Sequence, residues 1–370
     1  MAALALMTAA CSNSDNDILT QAEQPAKAQG IPFTATISIG ESASTRALTE
    51  DGSGGLTATW AAGDKVALIH NGVNDEMEVE SVSGGVATIK GTITSATDGA
   101  DVTVIYPATA ADGTTGNVKA DLLYAQSGAT LADVAANYDV RKGTGTLKVN
   151  GTASLNGNVS LTNQFAIFKF TTKNSDASAD ISISSLTVTI VAQEYVITPT
   201  SATSELFVAL PATTSSRPVI FSATGSDSKS YTCSKYPVTF AGGKYYQSTL
   251  KMQEGTTAMW YSPFMGDGIH MLIGEGYTYN DVTLKGNGTM HIMGGGMSFM
   301  DNGDCTFNVP DGKKFKSIVI SGDLGGFSGT GWSKEGELGD QIGTWTGDAK
   351  SVGFNIGGLS NINLILFTVN

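Results

Sequence analysis

The sequence predicts an all-β chain built as a row of sandwich domains, and three observations lead there. Glycine is abundant, at 45 of 370 residues, while charged residues make up only 15 %, well below the quarter or so typical of soluble domains. Ser and Thr crowd nearly every segment, which suits short strands with hydroxyls on the solvent face and tight turns between them. Apolar and polar residues alternate through many segments, the period-two pattern of a half-buried strand. A hydrophobic share of 41 % supplies proper cores, so wholesale disorder is not expected. The length suits two or three domains.

Residues 1–11 read MAALALMTAAC. An apolar run this short cannot span a bilayer and fits the h-region of a signal peptide. Ala9 and Ala10 before Cys11 look like a lipobox, with Thr8 standing where Leu or Val is usual. A basic n-region is missing, consistent with a start upstream of Met1. Cys11 is therefore expected to carry a lipid, each buried CH₂ contributing about 0.8 kcal/mol of anchoring. Residues 12–30, from SNSDND to QPAKAQG, read as a flexible tether.

From Ile31 the strands begin. Phe33, Ala35, Ile37 and Ile39 alternate with Thr34, Thr36 and Ser38. A Gly/Ser-rich stretch, GESASTRALTEDGSGG, separates this strand from LTATWAAGDKVALIHN, two short strands about a turn at Gly63-Asp64. DVTVIYPA (101–108) is a strand ended by Pro107. One short helix interrupts the first domain: Thr130 and Asp133 resemble a capping box, and Leu131, Val134, Ala135 and Tyr138 share a face. A second block begins near Leu155, with FAIFKFTTK (165–173) strongly strand-like. In ISISSLTVTIV the apolar phase flips between Ile183 and Leu186, which predicts a β-bulge at Ser184-Ser185. LFVALPA and YPVTFAGGKYYQSTLKM supply further strands. Composition shifts after Met252, and residues 256–370, rich in Gly and Met and holding Trp260, Trp332 and Trp345, read as a separate β-sandwich or jelly roll. Its strands include DCTFNVP, KKFKSIVISGD and NINLILFTV. The expected divisions are thus 1–11, 12–30, 31–152, 153–252 and 256–370.

Charge and chemistry exclude several functions. A net charge of −13 and only three arginines, Arg46, Arg141 and Arg217, argue against nucleic acid and anionic lipid, which need clustered basic residues. The cysteines, Cys11, Cys233 and Cys305, lack metal-ligand spacing. Cys233 and Cys305 read as small buried hydrophobes, with a disulfide between them the alternative. His70, His270 and His291 each stand alone among apolar or glycine neighbours. GFSGT (326–330) misses the nucleophile-elbow pattern at its last position, and GNGTMH (286–291) misses the dinucleotide fingerprint likewise. DNGD (301–304) reads as a hairpin turn, and Glu335 and Glu337 as solvated charge. Neither an enzyme nor a cofactor is expected.

Several phrases together carry a resemblance. STRALTE, ATWAAGDKVAL, VIYPA, YAQSGATLADVAANYDV, LTNQFAIFKF, LFVALPA and FAGGKYYQSTLKM, in that order, resemble the fimbrillin-like lipoproteins, relatives of type V pilus subunits, over roughly residues 31–252. The resemblance implies two tandem transthyretin-like β-sandwich domains, a lipid anchor in the outer membrane, and a surface role in adhesion or fibre assembly. It also implies cleavage after Arg46, which would make Ala47 a new terminus and release the strand carrying Phe33 and Ile37. TWTGDAKSVGFNI resembles modules appended to other surface proteins, a departure from a pilus shaft subunit. Partners would be other pilus subunits or a host or bacterial surface protein. The alternative is a glycan-binding lipoprotein using the last domain, where Trp332, in GFSGTGWSKEG, is the expected exposed contact.

Overall fold

The computed structural model describes residues 30–39, 49–50, 56–57, 60–190, 193–215, 217–261, 265, 267–293, 296–299, 303–337, 341–357 and 360–370. Cys11, Arg46 and Ala47 lie outside the described residues. The protein is all-β, as its composition predicts, and a single α-helix stands among the described strands. The first run comprises β1 (Ile31–Ile39), β2 (Thr49–Glu50), β3 (Leu56–Thr57), β4 (Lys65–His70), β5 (Val73–Ser83), β6 (Val86–Ile93), β7 (Asp101–Tyr106), β8 (Ala125–Ser127), helix α1 (Leu131–Asn137), β9 (Arg141–Asn150), β10 (Thr152–Leu155) and β11 (Val159–Asn163). The second holds β12 (Phe165–Asn174), β13 (Ile183–Ile190), β14 (Gln193–Thr198), β15 (Glu205–Pro211), β16 (Arg217–Gly225), β17 (Ser230–Val238) and β18 (Tyr245–Glu254). The third holds β19 (Thr256–Tyr261), β20 (Gly268–Met271), β21 (Tyr277–Tyr279), β22 (Val282–Gly286), β23 (Thr289–Met293), β24 (Gly296–Phe299), β25 (Gly303–Asn308), β26 (Phe315–Asp323), β27 (Trp332–Glu335), β28 (Gln341–Ala349), β29 (Ser351–Ile356) and β30 (Ser360–Val369).

In the first sheet, pairing runs all the way round: β1-β6-β5-β4-β7-β9, then back to β1 through β10 and β11. Strands β10 and β11, beyond the expected division at 152/153, thus belong to this sheet. The second sheet runs β15-β12-β18-β17-β16-β13-β14-β8. Its last strand, β8, comes from the excursion between β7 and β9 and lies parallel to β14. Register shifts between Ile183 and Ser185 where β13 meets β16, the bulge that the apolar phase flip announces.

The excursion ties the two sheets together. Gln126, 2 % exposed, donates from Nε2 to the Ala209 carbonyl at 2.7 Å and accepts from the Ala209 N–H at 3.1 Å. Its side-chain amide therefore stands in for a neighbouring strand along β15, at the opposite end of the sheet from the β8–β14 pairing. Phe207 N–H adds a bond to the Ala129 carbonyl at 2.8 Å. Helix α1 follows at once and packs on β15. Its capping box is complete: Thr130 Oγ1 accepts from Asp133 N, and Asp133 Oδ2 accepts from Thr130 N at 2.9 Å. The Thr130 hydroxyl, which donates to Asp133 Oδ2 at 2.6 Å, and then the Thr130 N–H hold the Asp133 carboxyl below its ordinary pKa. The helix thus sits against the second sheet, and one hydrophobic cluster spans both sheets.

The third block packs the sheet β20-β23-β24-β30-β26-β28-β27 against a four-stranded sheet, β21-β22-β25-β29. Trp260, Phe299, Phe307, Phe315 and Phe367 fill the space between them. NINLILFTV becomes β30, the central strand, bonded to β26 on one side and to β19 and β24 on the other. Its near-continuous apolar run follows from burial on both faces. Phe367 and Ile365 point into the block's core, while Leu364 and Leu366 meet Ile220 from the second sheet. Of the DNGD segment, Asp301 and Asn302 lie outside the described residues, while Gly303 and Asp304 begin β25, which belongs to a different sheet from β24. Cys233 and Cys305 are free thiols in separate clusters, and burial pushes both pKa values up to about 12.

Candidate strand-exchange site

Strand β1 follows directly from its alternation. Phe33, Ala35, Ile37 and Ile39 are buried while Pro32, Thr34 and Thr36 face solvent. On one side β1 is held by a long antiparallel ladder to β6, eight residue pairs from Ile31↔Ile93 to Ser38↔Val86. On the other side it touches β11 through three parallel pairs and β10 through one. The hold is lopsided. Without β1 the space would be an apolar groove walled by its cross-strand partners Ala87, Ile89, Ala153, Val159 and Leu161, all buried. Gly91, opposite Phe33, leaves room there that a Cβ would take, since that atom would lie 2.5 Å from Met77 Sδ. Burying Phe33, Ile37 and Ile39 contributes at most roughly 5–9 kcal/mol, so a strand leaving the groove needs another to replace it.

The next described residues after β1 dock elsewhere. Glu50, in β2, accepts from Tyr245 Oη at 2.6 Å and from Lys169 Nζ at 3.3 Å, both on the second sheet. The tyrosine hydroxyl, with help from Lys169, holds the Glu50 carboxyl below its ordinary pKa. Burial, then the neighbouring Glu50, pushes the Tyr245 hydroxyl up. Lys169 also pairs with Glu205 at 3.4 Å and lies over the Phe207 ring. The residues on either side of the Arg46 segment are therefore fixed to different sheets, β1 to the first and Glu50 to the second. Arg141 and Arg217 sit within β9 and β16, and Arg141 pairs with Asp139 at 3.0 Å.

The aromatics of the last block go mostly to packing. Trp260 is fully buried, its Nε1 donating to the Tyr279 carbonyl at 2.8 Å, and Trp345 is buried as expected. Trp332 is not a free loop side chain: it begins β27, pairs with Trp345, and is half-buried edge-on against Phe327 and Phe354. Its Nε1 donates to the Gly353 carbonyl at 2.9 Å. Glycines around WSKE disguised a strand as a loop. A polar cleft of about 370 Å³ lies beside β19, lined by residues including Asn280, Asp281 and Lys313. His70 is buried and bonded to Asp75 at 2.9 Å, and His270 packs on Tyr277, its pKa lowered by burial. Among the described residues no cluster of three His, Cys, Asp or Glu could hold a metal, and no helix is long and apolar enough to cross a membrane.

No family model and no curated protein matches the chain. Its structural neighbours include proposed adhesion proteins and a fimbrial protein. A proposed cell adhesion protein from Bacteroides fragilis aligns with 59 % of this chain and 92 % of its own, at 10 % identity and a TM-score of 0.37. One from Bacteroides uniformis aligns with 61 % and 96 %, at 10 % identity and 0.34. A fimbrial protein from Bacteroides ovatus aligns with 63 % and 52 %, at 14 % identity and 0.26. At such identities and scores the likeness alone assigns neither family nor activity.

Proposed function

We propose that this chain is a surface-anchored adhesin or fimbrial-type accessory subunit, working by protein contact and strand exchange and not by catalysis. The observation that carries the reading is β1, a buried strand held strongly on one side and weakly on the other, with the Arg46 segment just beyond it. Cleavage there would leave β1 bound only by pairing and burial, the condition for replacement by another strand. The same reading makes the β1 groove an acceptor and does not use β30 as a donor, because β30 is central to its sheet and cannot be released without opening the last core. That favours a tip, accessory or stand-alone role over a shaft subunit. Residues 30–254 are read as one interlocked block carrying both fimbrillin-like units, with 256–370 as the appended module.

Mild trypsin digestion tests the exchange. Among the arginines, cleavage is expected first after Arg46, because Arg141 and Arg217 begin strands and are paired to Tyr106 and Val238. The fragment carrying β1 should stay with the protein through gel filtration. A labelled peptide of residues 30–40 should then replace it slowly, and the Ile37→Asp peptide should not. Earlier cutting at Arg141 or Arg217, or a groove that never takes up the peptide, would sink the reading.

The anchor has its own test. We infer that Cys11 is acylated and holds the protein in the outer membrane, on the strength of the apolar run ending Ala-Ala-Cys. Metabolic labelling with a fatty-acid analogue should mark the wild type and spare Cys11→Ser. Equal labelling of both, or none in either, rules the anchor out.

A further inference from the structure

In the third block, the outer edge of β20 pairs with no strand among the described residues. Sheet edges are normally protected by charge, proline, brevity or a covering segment, because their free backbone groups invite another strand. The far edge of the same sheet, β27, follows the rule with exposed Lys334 and Glu335. In the second sheet, β15 is covered by Gln126 and Ala129. Strand β20 ends its sheet, and among the described residues no strand pairs with its outer side. Its protection is only its shortness.

Its side chains invert the usual pattern. Ile269, Met271 and Ile273 point outward at period two and are 68 %, 65 % and 60 % exposed, while Leu272 between them is buried. Met293, diagonal to Ile269 on β23, is 57 % exposed. Four of the six exposed large hydrophobics among the described residues thus fall on this one patch. In a chain of net charge −13, residues 268–274 and 286–299 carry no charged side chain. A charged partner finds nothing to pair with here, whereas a second neutral apolar strand does.

We propose that β20 is a self-association edge, pairing antiparallel with β20 of a second copy. Pairing about a two-fold axis at His270 sets Ile269 of one copy opposite Met271 of the other, twice. Apolar meets apolar at both Ile269–Met271 pairs, and Asp267 falls opposite Ile273 instead of another carboxylate. The two third-block sheets then continue across the axis as one. A contact this small lies below the roughly 1,200 Å² of a standard interface, so the dimer should form only at roughly 10–100 µM protein.

Sedimentation velocity of the full chain carrying Cys11→Ser, which removes the lipid as a cause of association, provides the test. From about 1 to about 200 µM, the protein should pass from monomer to dimer. Ile269→Lys and Met271→Glu alter exposed side chains, and circular dichroism would check that both fold. Each alone should weaken dimerisation about tenfold or more. Mixed, they should recover it, because the register sets the new ammonium of one chain against the new carboxylate of the other. A wild type monomeric throughout overturns the proposal, as does Ile269→Lys dimerising like the wild type, or a mixture that stays monomeric. A monomeric wild type that instead binds phosphatidylcholine vesicles assigns the patch to lipid and also overturns it.

Discussion

Replacing Trp260 with alanine should lower the stability of the 256–370 block by about 3–5 kcal/mol, the cost of a large cavity in a core. Trp260 sits between the two sheets, edge-on to Tyr277, Phe307 and Phe367. Its loss also strips the Tyr279 carbonyl of its indole donor, adding about 1 kcal/mol. Trp260→Phe, which keeps most of the ring contacts, should cost less than half as much. In a urea titration followed by circular dichroism, the transition of the last block should move to lower urea. That of residues 30–254 should move little, since the joint between them is a small cluster around Ile220, Leu364 and Leu366. Equal shifts in both transitions would show that 256–370 is not a separate module.

Gln126→Leu should destabilise the first block by roughly 2–5 kcal/mol, because it leaves both the N–H and the carbonyl of Ala209 buried without partners. The bond joins the two end strands of the second sheet, and the excursion that carries Gln126 leaves and rejoins the first sheet, so both should unfold together at lower urea. Gln126→Glu sharpens the test. An ionised glutamate can accept from Ala209 N–H, but it turns a negative charge toward the Ala209 and Leu123 carbonyls that now accept from the amide. Burial and those carbonyls should raise the pKa of the new carboxyl above its unfolded value. The penalty is then full at neutral pH and shrinks as pH falls through the raised pKa, where a protonated carboxyl can again donate. The urea midpoint of the glutamate variant should approach that of the wild type between pH 7 and pH 5. A gap that stays constant with pH would remove the Gln126 amide as the link.

Local chemistry carried much of this fold in the sequence, and long-range pairing carried the rest. Strand β1 was legible because Phe33, Ala35, Ile37 and Ile39 keep strict alternation. The helix was legible because Thr130 and Asp133 cap it, and the bulge because Ile183 and Leu186 change phase. None of those needs a distant partner. Strand β8 was not legible: Ala125-Gln126-Ser127 has no alternation, and its partner β14 lies some seventy residues on. Nothing local marks Gln126 as buried, since its partner Ala209 lies 83 residues along the chain. The run GIHMLI does not say which face would be wet, since apolar residues fall on both, and so the bare edge stayed hidden. A further cue went unread: Asn280-Asp281, both at positive φ, form the two-residue turn between β21 and β22, a pairing that asparagine and aspartate favour.

The central place of β30 also sets the order in which the last block can form. Thr256 and Val369 are neighbours across the β19–β30 ladder although more than a hundred residues of chain separate them. Phe315 of β26 pairs with the same Val369. Until β30 arrives, β19, β24 and β26 share no common strand, and the core around Trp260 has no floor. Closing so long a loop must come before most of the contacts that reward it, which makes this the slow step of folding. A chain cut short by even one strand would keep its first block folded and carry a last block that never assembles.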